Sequence, residues 1–252
     1  VVTGDAPFSS FELQIAPDAA EVDRIYVGLS RAGDGYVVYG PALRAEGQDT
    51  RLQFSGAASD AALPTENAIA GYAFVGPADH VGGDEHGVFV ARPDLTADLA
   101  QPIRSAFVSS MAFYQARLGL DLPYRPAIVV STDSPGPSGF RGDVTDTGVI
   151  SVRFHGDSWR YDPDAVAPFV WHEVFHLWNG HSVVTRDGDT APWLHEGGAE
   201  YAALAGAVSS GAMSEARART ALADRLNGCR RAIGVDALDQ SSRRSGGAVY
   251  DC

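Results

Sequence analysis

Apolar and polar residues alternate in short runs over the first third of the chain. FELQIAP spaces Phe11, Leu13 and Ile15 two residues apart, and RIYVGLS does the same with Ile25, Val27 and Leu29. RLQFSG carries Leu52 and Phe54, and GVFVARP carries Val88 and Val90, at the same interval. A period of two is that of an extended strand with one face buried. Clusters of glycine, proline and aspartate separate the runs, as between short antiparallel strands. Residues 8 to about 92 therefore predict β-structure, and residues 1–92 an N-terminal antiparallel β-sandwich-like domain.

The pattern changes near residue 93. Ile103, Phe107, Met111, Tyr114 and Leu118 follow one another at spacings of four, four, three and four, a helical stripe that Gly119 is placed to end. AIVVS (127–131) and GVISVRF (148–154) predict strands, and TDSPGPSGFRGDVTDT between them predicts a loop. Three more helices are predicted, from about Pro163 to Gly180, Leu194 to Val208 and Ser214 to Asn227, the last capped by Gly228. Residues 93–252 thus predict a small sheet followed by helices, and the chain as a whole an α+β fold.

Composition narrows the function. The chain has 252 residues, 45% of them hydrophobic, enough for one large domain or two small ones. No apolar run reaches the roughly 18 residues of a membrane-spanning helix. The net charge of −13 opposes binding to nucleic acid, whose phosphates need a basic face. All 19 basic residues are arginine. The two cysteines, Cys229 and Cys252, are either a disulfide or unrelated thiols; their polar surroundings favour the disulfide, and with it a periplasmic or secreted location. The chain starts at Val1 without a basic-then-apolar leader, so that a signal peptide was either removed or never present.

The chemistry concentrates in FVWHEVFHLWNG, residues 169–180. His172 and His176 are four apart and so share a helix face, where two imidazoles can grip one zinc ion. Glu173 follows the first histidine and is placed to take a proton from a water at the metal. The competing reading is plain scaffold, because Val170, Val174 and Leu177 give this helix an apolar face of its own. A catalytic zinc needs a third protein ligand and an open fourth position. PWLHEGGAEYAAL offers Glu196, 20 residues after His176 at the start of the next helix. His195 and His181 compete for that role, but His195 would point about 100° away from Glu196 on a helix. Glu200, one turn beyond Glu196, is either a carboxylate that accepts from a ligand imidazole's second nitrogen or a solvated helix charge.

WHEVFHLWN followed by WLHEGGAEY resembles the gluzincins, zinc metallopeptidases whose third ligand is a glutamate. The HExFHxWN form looks most like the glycyl aminopeptidase family, and the WLxEG form is shared with the leucyl and alanyl aminopeptidase relatives. The resemblance covers residues 171–201 and implies His172, His176 and Glu196 as ligands of one Zn(2+) per chain, with Glu173 as general base. It also implies a thermolysin-like catalytic domain behind the β-domain, and hydrolysis of a peptide or protein substrate. The chain departs from the family in two places. SGFRGDV puts Arg141 and Gly142 where a glutamate that holds the substrate's free amine is expected, and only Asp143 is acidic. An arginine repels an ammonium group, which argues against strict N-terminal trimming. The second departure is the absence of the family's C-terminal helical lobe, as though the catalytic domain were truncated. Tyr250 falls near the place of the family's transition-state tyrosine, or is an ordinary surface residue. Two rival readings stand beside the peptidase: a zinc-binding module that recognises peptides or proteins without cleaving them, and a β-sandwich binding protein with no metal. In GVISVRF the peptidase reading expects either a strand that pairs with extended substrate or an internal one.

Overall fold

The computed structural model describes residues 2–4, 11–13, 29–32, 35–39, 52–54, 61–63, 72–76, 78–91, 95, 97–134, 139–145, 148–155, 163–182 and 193–234. Ile15, residues 24–28, Tyr250, Cys252 and the side chain of His181 lie outside the described part. The fold is mixed α+β. β1 (Val2–Gly4), β2 (Phe11–Leu13), β3 (Leu29–Ala32), β4 (Gly35–Tyr39), β5 (Leu52–Phe54), β6 (Ala61–Leu63) and β7 (Tyr72–Gly76) form two antiparallel sheets, β2-β1-β5 and β3-β4-β7-β6.

A third sheet is built from β8 (Val81–Asp84), β9 (Gly87–Val90), β10 (Ala127–Ser134), β11 (Gly139–Val144) and β12 (Val149–His155), in the order β11-β12-β10-β9-β8. The strand in GVFVARP, read from sequence beside its antiparallel neighbours, runs parallel to β10, with Ala127 opposite Val88 and Val129 opposite Val90. Ala127, Ile128, Val129 and Val130 are all buried. Such a continuous apolar run is what a central parallel strand covered on both faces requires. Phe74, Val90, Ala127, Val129 and Val149 form a core cluster, with Val81 and Val88 against it. Arg125 donates to the carbonyls of Asp84 (2.6 Å) and Gly87 (3.3 Å) and so ties the β8–β9 hairpin to the approach to β10.

One strand prediction is corrected here, and one pair of alternatives is decided. Residues 139–144 of the predicted loop are the antiparallel edge strand β11, whose Gly142 lies opposite Val152. Its GFRGDV sequence has two glycines and no alternation, so that only pairing with β12 makes it a strand. β12 itself is internal, paired with β10 on one side and β11 on the other, and has no edge to offer an extended peptide.

The chain divides into two compact units, residues 1–101 with 123–163 and residues 102–122 with 164–252. The three sheets belong to the first. α1 (Ala97–Leu118) carries the predicted stripe: Ile103, Phe107, Met111 and Tyr114 are buried, while Leu118 is exposed. Gly119 ends it in the left-handed region, its N–H donating to the Gln115 carbonyl. No helix among the described residues is long and apolar enough to cross a membrane.

In the second unit α2 (Pro163–Ser182) lies in an aromatic nest. Tyr114 is 5.5 Å from the Trp171 ring and 5.8 Å from that of Trp178, and donates its hydroxyl to the Trp171 carbonyl at 3.2 Å. Trp178 Nε1 donates to the Leu120 carbonyl at 2.9 Å. Burial pushes the Tyr114 phenol far above its ordinary range, so the hydroxyl stays a donor. α3 (Gly198–Ser209) crosses α2 at Gly206, where an added Cβ would overlap the Trp171 ring. α4 (Glu215–Ile233) starts as predicted, with the Ser214 side chain accepting from Arg217 N. It does not stop at Gly228, which is buried inside the helix; Gly234, at φ 57°, ends it. Cys229 is disulfide-bonded, and the chain's one other cysteine, Cys252, lies outside the described residues.

The α2–α3 crossing yields a first prediction. Gly206→Ala should destabilise the protein by about 1–3 kcal/mol, the usual cost of overpacking. A denaturant midpoint unchanged by the substitution would show that the two helices are not locked there.

Candidate metal centre

His172, Glu173 and His176 lie on α2 and are buried, as is Asn179 one turn further on. Glu196 sits in a π-helical turn, Trp193–Gly197, that opens α3. The wider turn inserts an extra residue before the regular helix, a distortion common at functional sites. In this arrangement Glu196 and Glu200 both reach His172, from opposite sides of its ring. His172 Nε2 is 3.2 Å from Glu196 Oε2, and its Nδ1 is 3.5 Å from Glu200 Oε1. Arg225 of α4 donates to the other Glu200 oxygen at 3.1 Å.

Three atoms converge on one point. His176 Nε2 is 3.0 Å from His172 Nε2 and 3.6 Å from Glu196 Oε2, while His172 Nε2 and Glu196 Oε2 are 3.2 Å apart. Ligands at roughly 2.0–2.2 Å from a tetrahedral ion stand roughly 3.3–3.6 Å from one another. The triangle already has nearly those edges. A proton can bridge only one of the three contacts at a time, whereas a cation satisfies all three lone pairs together. The residues therefore fit a metal ion, and His172, His176 and Glu196 are the one group among the described residues that could hold it.

His195 is not part of that group. Its ring stacks on His176, with centroids 4.3 Å apart and planes 26° from parallel, and its Nε2 is 3.8 Å from Glu196 Oε1. Stacking against a ligand places it beside the centre, not pointing away from it as a regular helix would require. Glu173 is buried beside His172 and acts electrostatically on His176. Glu200, read as either an imidazole partner or a solvated charge, lies within ion-pair distance of His172 Nδ1, at 3.5 Å, and is half-buried against Arg225.

Asn179 and Arg225 went unread in the sequence. Asn179 Oδ1 is 3.0 Å from His176 Nδ1, and its Nδ2 donates to the His195 carbonyl at 2.8 Å. Its position, three residues after His176 and seven after His172, puts it on the ligand face, a signal that was available. Arg225 is 25 residues from Glu200 and carried no local signal.

Burial alone would raise the Glu196 carboxyl, but hydrogen bonds with His172 and His176, and their charge, outweigh it and hold it well below the carboxylate range. Burial alone would lower the His176 imidazole; the hydrogen bond to Glu196 and the charges of Glu173 and Glu196 prevail and raise it. No family model matches the chain, and no curated protein matches it either.

These opposed shifts fix a pH dependence for protein stripped of metal. The raised His176 contributes stability fully below the ordinary 6.5 and loses it as pH rises through its folded value. The lowered Glu196 contributes fully above the ordinary 4.5 and loses it as pH falls. Both act together between those values. The melting temperature advantage of wild type over Glu196→Gln should thus peak near pH ~5.5 and shrink toward pH ~8.5, by about 2–4 °C for each kcal/mol lost. An advantage that grows with alkalinity would contradict the pairing.

Proposed function

We propose that the chain is a zinc-dependent peptidase of the gluzincin type, with a thermolysin-like catalytic domain behind an N-terminal β-sandwich domain. The observation that carries the reading is the His172–His176–Glu196 triangle with edges of 3.0–3.6 Å. The buried Glu173 beside it supplies the acid–base group that hydrolysis needs. The WLHEG and HEVFH motifs that resemble the family hold the residues that converge.

A zinc ion bound there would act as a Lewis acid, polarising the scissile carbonyl and acidifying water to a pKa of about 7. The chain's own residues supply the rest. Glu173 takes the proton of the attacking water and returns it to the leaving amine. Glu200, braced by Arg225, holds His172 by its Nδ1 side, which orients the imidazole and keeps Nε2 toward the ligand triangle. His195 flanks the centre with its ring partly exposed and bounds the side from which substrate would arrive. Tyr250 is the proposed oxyanion partner, carried over from the family resemblance alone. A periplasmic or secreted site of action accords with the disulfide at Cys229.

In sequence, Arg141 stands where the family carries a glutamate that holds the substrate's free amine. This favours cleavage that does not require a free N-terminus. It also favours the second reading, a zinc module that binds peptides without cutting them.

The test has three arms: metal content, hydrolysis of an unbiased peptide mixture, and two variants. Wild type is expected to carry one zinc per chain and to cleave. Glu173→Gln should keep the zinc and lose about 10²–10⁴-fold in rate, the usual worth of a general acid–base group. His176→Ala should lose both metal and activity. Zinc-loaded wild type that cleaves nothing would turn the reading to the binding module, and wild type that takes up no metal would end both.

A further inference from the structure

We propose that Asn179 is a positioning residue that assembles the centre from both sides: one carboxamide fixes the tautomer of His176 and ties the Glu196 segment to α2. The inference rests on the metal-site reading above.

The argument starts from what a backbone carbonyl can do. The His195 oxygen 2.8 Å from the amide has lone pairs and no proton, so the atom facing it must be the Asn179 NH2 group. That settles the orientation of the amide, which is otherwise assigned only from its hydrogen-bond network. With Nδ2 committed to His195, Oδ1 is the atom on His176 Nδ1, at 3.0 Å. Oδ1 can only accept, so Nδ1 of the neutral imidazole must carry the proton. Nε2 is then left bare, and Nε2 is the atom in the triangle with His172 and Glu196.

The second bond acts on the other helix. His195 immediately precedes Glu196 in the π-helical turn, so holding its carbonyl holds the backbone from which the third ligand projects. Asn179 is buried and thus shielded from water that would compete for either bond. A carboxylate lies 3.5 Å from Nδ1 of His172; His176, by this account, is oriented by a neutral amide that also sets the distance between the helices. An aspartate could accept from His176 but not donate to His195, and it would set a negative charge against the carbonyl. An alanine could do neither.

The experiment compares wild type, Asn179→Ala and Asn179→Asp by two measurements. Long-range proton–nitrogen NMR on the metal-free protein, at a pH alkaline enough for the His176 imidazole to be neutral, reads its tautomer. Competition with a chromophoric chelator reads zinc affinity, with circular dichroism confirming the fold of each variant. Wild type should show His176 protonated at Nδ1. Asn179→Ala should lose that single tautomer and bind zinc about 10–100-fold more weakly, as expected when a ligand's supporting partner is removed. Asn179→Asp should keep the tautomer yet bind zinc with an affinity between the two, because the tether to His195 is gone. If Asn179→Ala keeps both the wild-type tautomer and the wild-type affinity, the proposal is wrong. If wild type binds no zinc, the peptidase reading fails, and the tautomer comparison alone then decides whether Asn179 positions His176.

Discussion

Three electron-rich atoms held 3.0–3.6 Å apart on two helices are the arrangement on which everything else depends. A proton draws His176 to Glu196 but can bridge only one contact at a time, and bare nitrogen and carboxylate lone pairs repel. The helices must therefore also be held by contacts outside the triangle. Gly206 lets α3 approach the Trp171 ring, one residue from His172. Tyr114 hydrogen-bonds the Trp171 carbonyl, and Trp178 is pinned through its indole nitrogen. Asn179 bridges what remains of the gap. The apolar nest thus does mechanical work for a polar site, a division usual where geometry must be kept within fractions of an ångström.

The electrostatics run the same way. Glu173, Glu196 and Glu200 surround the two histidines, and Arg225 answers Glu200. By formal charge these residues are short of two positive charges, the deficit a divalent cation would fill. Without the cation the imbalance falls on the imidazoles, which is why His176 is drawn toward its protonated form. Proton and metal compete for the same lone pair, so metal uptake at this site is coupled to proton release.

Legibility in the sequence followed the locality of each interaction. The stripe from Ile103 to Tyr114 was readable because burial on a helix repeats at a fixed interval. So was the meeting of His172 and His176, which four residues of helix dictate. Glu196 was found through the short return between two helices. β11 was not, because GFRGDV becomes a strand only by pairing with β12, and nothing within it says so. The end of α4 was misjudged for a related reason. Gly228 costs a helix about 1 kcal/mol relative to alanine, a penalty that the residues from Cys229 to Ile233 outweigh. Arg225 belongs to the same class: its role exists only where α4 meets α3.

Whether such a centre is structural or catalytic turns on its fourth corner. A structural zinc is closed by four protein ligands and contributes folding energy outright. Here the obvious fourth candidate, His195, is stacked face to face on His176, and its nitrogen falls outside the converging group. A ring in that position cannot swing onto the ion without giving up the stack, and its backbone is bonded to Asn179. Three converging groups, a fourth ring stacked outside them and a buried carboxylate alongside are the features on which the proposed catalytic reading rests.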